Sequence, residues 1–545
     1  LKRKFFYWLT ISNFLYIIVL LILASITIGA ISGDNGILNN TGKVKEDTEI
    51  SQETEILQTA VVQAMGKNSR GNLEKDEFQQ ELDNQIGKEG EVDVSDVGGE
   101  FEVFFTGSER YYTVDSNGNV SRLIEEENTV ETPAYWEKTT RNDSQWYSYA
   151  DISNGNEEVE VNAPKLRGAM TPIKYVGEDA ESQTGSKWAN AITADGSMWV
   201  WIPRYAYKIT SGYHEAGKDG TAGTIEIAFI DTENNFLNGE TGVLVTDPSE
   251  VTYTDNVQNE WLVHPVFTSN AENGGGFGEL TGIWVGKFET TGNYDSSTEI
   301  GTITVMPGEK SLSNMTINQQ YKSARNATFG ENFTTNSHMA KNSEWGAVAY
   351  LAHSKYGVNA QKVHQNTSNY TYTGGTSSQK DIYTIAKTQS TTFNAYGVYD
   401  MDGGSFENVA SYVDYGENLI ESVLLNGGYG EEDSLLGKDE LERATSTAYK
   451  MVYKSDGTNQ ANSYNLTENV KGDGIWETSL SNLGASAWFS DMSRYPVSNF
   501  PFFQRSGYFH VNEGIFLFRE FAGSGEDYIA NGYLASVSFR VILAF

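Results

Sequence analysis

No cysteine occurs among the 545 residues. Disulfides, Cys-ligated zinc, iron–sulfur clusters and thiol nucleophiles are excluded together. Histidine is scarce as well: His214, His264, His338, His353, His364 and His510 are all there are, and no H-x-x-x-H pair is formed. A solvated or core role outweighs metal ligation for each. Sequences of the type G-x-S-x-G, Walker A, H-E-x-x-H and G-x-G-x-x-G are missing. "NGGGFG" at 273–278 reads as a flexible turn, because no helix carrying a Lys follows it. Positive charge is short, with 38 Lys and Arg against 73 Asp and Glu, a net charge of −35. Such a chain repels phosphate backbones, so nucleic acid is not an expected partner. Proline is also rare, at 9 residues, while 39% of residues are hydrophobic and 12% aromatic. Cores can therefore be buried, and the length argues for more than one domain.

One long apolar run is present. Lys2, Arg3 and Lys4 precede Phe5, Phe6, Tyr7 and Trp8, and an apolar stretch from Phe14 to Ile31 follows, broken only by Ser25 and Thr27. About 20 apolar residues span a bilayer and leading cations favour the cytoplasm, so 1–32 is expected to be a single-pass anchor with the bulk outside the cell. A cleaved signal peptide is the rival reading. The segment 33–90 is expected as an acidic helical neck, with apolar residues at helical spacing from Ile50 to Ala64 and a second helix over 73–85. Alternation and Asn/Gly turns predict a small antiparallel β head over 91–132. "IIVLLILASITIGAISGDNGIL" followed by this acidic helix resembles the N-terminal region of bacterial type IV prepilin-like proteins, although "KFFYWLTISNF" lacks the processing Gly and the acidic residue after it.

Beyond a linker at 125–137, where 133–196 is read as linker and lead-in to the last domain, composition shifts to Gly, Asn, Ser, Thr, Tyr and Trp in short apolar segments. "GSMWVWIPRYAYKIT" and "TGIWVGKFETTG" read as core strands, and helices are expected only at 315–326, 343–356 and 434–454. The pattern predicts an α+β fold rich in loops. In chain order, "WVGKFETTG", "AKNSEWGAVAYLAHSKYG", "YGVYDMDGGSFENV", "QRSGYF" and "SFRVIL" resemble the motifs of formylglycine-generating (sulfatase-modifying factor) enzymes, a large variant of the C-type lectin fold. The resemblance covers 197–545, with 415–486 read as an insertion.

That resemblance implies structural calcium at the "DMDGGSFE" turn, held by Glu407, backbone oxygens of Gly403 or Ser405, and the side chain of Asp402; the alternative is that Glu407 pairs with Arg540. It also implies a ligand face in the C-terminal region, for which Tyr495, Arg505, Tyr508, His510, Asn512 and Arg519 are the candidate contacts. The family's copper-dependent oxidation needs cysteine thiolates, so neither copper nor iron is expected and no catalytic residue is assigned. The expectation is a catalytically silent, lectin-type binding or adhesion protein on a bacterial or phage-encoded surface. Its ligand would be a protein or glycan. The rivals are a pilin-like filament subunit or tip that self-assembles through the N-terminal helix, a ligand-binding protein diversified by a retroelement, and a cysteine-independent enzyme.

Overall fold

A computed structural model describes residues 41–67, 73–87, 92–97, 100–108, 110–115, 118–122, 131–140, 143, 146–215, 221–295, 300–331, 335–369, 371–414, 445–454, 470–480, 487–490, 493–497, 500–507, 514–521 and 537–545. The apolar run at 14–31 lies outside them, and no helix of the described residues is long and apolar enough to cross a membrane. The chain divides into two units, Leu1–Ile124 and Glu125–Phe545.

In the first unit, helix α1 (Thr41–Lys67) and helix α2 (Lys75–Ile86) precede four strands, β1 (Val92–Val97), β2 (Glu100–Phe105), β3 (Arg110–Val114) and β4 (Val120–Arg122). The strands form one antiparallel meander in sequence order. Leu57, Ala60, Val61 and Ala64 recur at helical spacing on α1 and bury against Phe78, Leu82, Val103, Tyr112 and Val114. The edge of β1 is closed by a side chain. The Gln79 amide donates to the Val92 carbonyl at 2.8 Å and accepts from the Val94 N–H at 2.9 Å, as a neighbouring strand would.

The larger unit is built on a seven-stranded antiparallel sheet. Its strands are β5 (Trp136–Lys138), β6 (Thr171–Tyr175), β7 (Asn190–Ile192), β8 (Met198–Pro203), β9 (Gly282–Gly286), β10 (His338–Met339) and, at the chain end, β16 (Val541–Leu543), in the order β10-β16-β9-β8-β7-β6-β5. The two Trp-Val runs face each other, with Trp201 opposite Trp284 and Val200 opposite Val285. The Trp201 and Trp284 rings meet at 5.3 Å. The final strand closes on β9, with Trp284 opposite Leu543. The stretch read as a lead-in supplies β5, β6 and β7 and the buried Trp136, Trp146 and Trp188, so it is integral to this core.

Helix α3 (Ile317–Asn326) starts at a capping box, in which Thr316 and Gln319 satisfy each other's backbone N–H groups; helix α4 (Asn342–His353) is buried along its whole length. A second sheet combines β11 (Phe406–Asp414), β12 (Met451–Lys454), β13 (Phe502–Arg505), β14 (Phe518–Phe521) and β15 (Val537–Phe539), with β11 at its centre. The helix expected over 434–454 is not found in its described part. Met451–Lys454 is a strand parallel to β11, because Met451, Val452 and Tyr453 all bury against the sheet, which a helix presenting one face would not allow.

Candidate ligand site and buried charge network

The start of β11 is where the separated sequence motifs converge. The turn before it needs left-handed backbone at Asp400 (φ 61°), Gly403 (φ 85°) and Gly404 (φ 70°). A Cβ on Gly404 would lie 2.5 Å from Glu289 Oε1, so close backbone approach demands glycine there. Both Glu407 oxygens are taken by Arg540, Nε at 3.0 Å and Nη2 at 2.5 Å, while Arg540 Nη1 donates to the Gly286 carbonyl at 2.8 Å. The carboxylate of Asp400 accepts from Asn366 Nδ2 at 2.8 Å and from the Gly374 N–H.

Glu289 is the third carboxyl group of the cluster. Its Oε1 accepts from the Ser405 N–H at 2.8 Å, and its Oε2 touches Ser311 Oγ, which also faces the Thr371 carbonyl at 2.9 Å. One serine hydroxyl carries one proton and cannot serve two acceptors. A protonated Glu289 completes both contacts, donating to Ser311 while Ser311 donates to Thr371. Burial, followed by the charges of Asp400 and Glu407, pushes the Glu289 acid well above the usual carboxylate range. Lys287 lies nearby in the sequence with Nζ at 2.7 Å from Asn190 Oδ1, 2.7 Å from the Ala395 carbonyl and 3.1 Å from that of Gly397. Burial pulls its pKa well down, yet three acceptors and the Trp136 ring face at 5.1 Å are the surroundings of an ammonium.

Some of the oxygens that the resemblance implies for calcium are engaged within the protein. Glu407 is committed to Arg540, and the Gly403 carbonyl accepts from Ser506 Oγ at 3.3 Å. Among the described residues no group of three or more His, Cys, Asp or Glu is placed to hold a metal ion.

Asp402 stands apart from this network. It is 1% exposed, and neither carboxylate oxygen meets a donor at hydrogen-bonding geometry. Burial pushes its pKa up to about 6, with Lys362 and the Gly514 amide pulling it back. A carboxylate offers about four acceptor positions, so with the Gly514 amide bearing on it at poor geometry Asp402 keeps acceptor capacity for a group that supplies a further donor. The same corner holds Ser506 in left-handed backbone (φ 66°), with its hydroxyl against the Asp400, Gly403 and Gly507 carbonyls. Backbone strain of this kind gathers at functional sites.

The other expected contacts fare differently. Tyr495 is buried and meets Phe503 edge-on at 5.5 Å. Arg505, opposite Glu407 in the sheet, is also buried. Its Nη1 donates to the Asp473 carbonyl at 3.0 Å, while Nε and Nη2 have no hydrogen-bond partner, and burial brings its pKa down to about 10. Arg519 is half-buried, with its guanidinium over the Phe406 ring at 4.6 Å. Tyr508, His510 and Asn512 lie outside the described residues.

A second polar cluster lies in the stretch read as an insertion. Glu477 accepts from the Tyr207 hydroxyl at 2.7 Å, the Tyr350 hydroxyl at 2.8 Å and the Gly472 N–H at 2.6 Å. Asp473 accepts from the Tyr453 hydroxyl at 3.0 Å, and burial beside Glu477 lifts its pKa to about 7. The sequence signal was "KGDGIWET", where acids alternate with Gly, Ile and Trp as they do in a core and not in a solvated insertion. No protein-family model matches the chain, and no curated protein matches it significantly.

Proposed function

We propose that this chain is a bacterial or phage-encoded surface protein whose larger unit binds an extracellular ligand. In this reading the unit is a lectin-type scaffold related to formylglycine-generating enzymes and works without their thiol chemistry, since the sequence offers no cysteine. The observation that carries it is the Asp402 carboxylate, buried in a strained corner with the Gly514 amide bearing on it and no hydrogen bond of good geometry. A carboxylate so placed accepts from a ligand that brings hydroxyl or amine donors, as a glycan or a peptide does. The test is a glycan and protein array probed with the purified full chain, repeated with Asp402→Asn. A ligand that loses at least about tenfold in affinity with the variant supports the reading. A ligand held equally well by both, or turnover of peptide thiols by the wild type, would overturn it.

A second reading has its own support. The first unit follows its long helix α1 and the shorter α2 with a four-stranded antiparallel meander, an arrangement that suits a pilin-like subunit. Electron microscopy of producing cells decides this one: filaments labelled by an antibody to the chain favour it, and an unassembled membrane protein removes it.

A further inference from the structure

The second sheet buries a cation that the surrounding side chains do not pair. Arg505, on β13, lies opposite Glu407 on β11 and Phe518 on β14, and its side chain is shut off from solvent. Nη1 donates to the Asp473 carbonyl at 3.0 Å and sits 3.4 Å from Asn342 Oδ1. The N–H groups of Nε and Nη2, two parallel prongs of the fork, meet no acceptor. The carboxylates nearby are engaged elsewhere. Asp473 accepts through Oδ1 from the Ile475 N–H at 2.9 Å and through Oδ2 from the Tyr453 hydroxyl at 3.0 Å. Glu477 is held by Tyr207, Tyr350 and the Gly472 N–H, and Glu407 by Arg540. Gly474 faces the open side of the guanidinium. A Cβ there would lie 3.3 Å from Arg505 Nη2, 3.6 Å from the Tyr350 ring and 3.7 Å from the Phe516 ring, and no side chain occupies that position.

We propose that the Nε and Nη2 prongs of Arg505 hold one small monovalent anion, of the size of chloride, on the side left open by Gly474. Charge dictates this class. A water molecule satisfies the N–H groups but leaves a buried cation without a counter-ion, which is the costlier deficiency. A second cation is repelled, and an anion as large as sulfate does not fit beside a guanidinium with no exposed surface. Protonation agrees with this. At a pKa of about 10 Arg505 keeps its charge, while burial, followed by the charge of Glu477, lifts Asp473 to about 7, so near neutral pH Asp473 supplies only part of the opposing charge. The site is independent of the ligand reading at Asp402.

Equilibrium dialysis of the full chain against radiochloride tests it, with sodium gluconate holding ionic strength constant so that the net charge of −35 is screened alike in every sample. The wild type should saturate with one chloride per chain, displaced by bromide and not by sulfate. Arg505→Gln should lose at least about tenfold in chloride affinity. Gly474→Ala, which sets a methyl group against Nη2, should weaken chloride as well. In scanning calorimetry, chloride at ten times its dissociation constant should raise the melting temperature of the larger unit by roughly 2 °C in the wild type and leave Arg505→Gln unmoved. Circular dichroism confirms that each variant is folded. If neither is, anomalous scattering from bromide in wild-type crystals carries the test: a peak in contact with Nε and Nη2 of Arg505 supports the site, and no peak there overturns it. A wild type with no saturable chloride site also overturns the proposal and makes the occupant water, as does chloride binding unchanged in the folded variants, which marks an adventitious ion only.

Discussion

Glu289, Asp402 and Asp473 each carry a carboxyl group whose surroundings favour the proton. Burial is the leading cause at all three; it places Asp402 at about 6 and Asp473 at about 7 and takes Glu289 well above its ordinary range. In the unfolded chain such groups titrate near about 4. The folded state therefore binds more protons between these values, so the stability they contribute is complete below about pH 4 and is lost as pH rises through 6 to 7. Glu344 and Asp151 have depressed values and act in the opposite sense, losing their contribution as pH falls through the acid range, and burial depresses His264 to about 3 and His353 to about 4, so these two also oppose the trend below about pH 6.5, where the unfolded chain takes up their protons. The larger unit should melt at a higher temperature at pH 5.5 than at pH 8, as scanning calorimetry can read. Glu289→Gln, which keeps the shape and removes the titration, should flatten that slope. An unchanged slope in a folded Glu289→Gln variant would refute the protonated Glu289. Arg540 supplies a second residue-scale test. Removing it in Arg540→Met leaves Glu407 buried without its partner and should cost about 3–5 kcal/mol in denaturant unfolding, whereas Arg540→Met with Glu407→Leu should recover much of that loss.

At the scale of elements, the turn into β11 is held by conformation as much as by contacts. Gly404→Ala meets both a left-handed φ and the Glu289 carboxyl, and should destabilise by about 1–3 kcal/mol. Thr316→Ala, which removes only the cap of α3, should cost about 1 kcal/mol. Equal losses in urea unfolding would mean that the turn relaxes. Much at this scale was legible in the sequence. Apolar spacing marked α1, the segments read as helices at 73–85, 315–326 and 343–356 are α2, α3 and α4, and the repeated Trp-Val runs marked β8 and β9. The miss at Met451–Lys454 has a physical source. A short buried strand and a buried helix segment share the same apolar composition, and only pairing with β11 separates them. The stretch at 133–196 was equally opaque, because its strands are three to five residues long and acquire meaning only beside β8.

For the whole molecule, two units with separate cores should not unfold as one. The core of the first unit, from Leu57 to Val114, draws only on its own residues, so a calorimetric scan of the full chain should show more than one transition. The candidate site was half legible at this scale. Pairing of Glu407 with Arg540 was the alternative to calcium at the "DMDGGSFE" turn, and the pair is present. Which carboxylate would be left without a well-formed hydrogen bond could not be read, since Asp402 and Glu407 differ only in where the folded backbone aims them. Tyr495 and Arg505 looked like surface contacts because aromatic and Arg side chains are common at both interfaces and cores, and burial is a property of the assembled sheet. The central claim, that Asp402 is the acceptor kept open for a ligand, has its most direct test in pH. Affinity for a ligand recovered from the arrays should rise by roughly tenfold from pH 5 to pH 7.5 as Asp402 ionises through about 6, and Asp402→Asn should bind weakly at both pH values with no rise between them; an affinity independent of pH, or a rise that persists in the variant, would contradict the account.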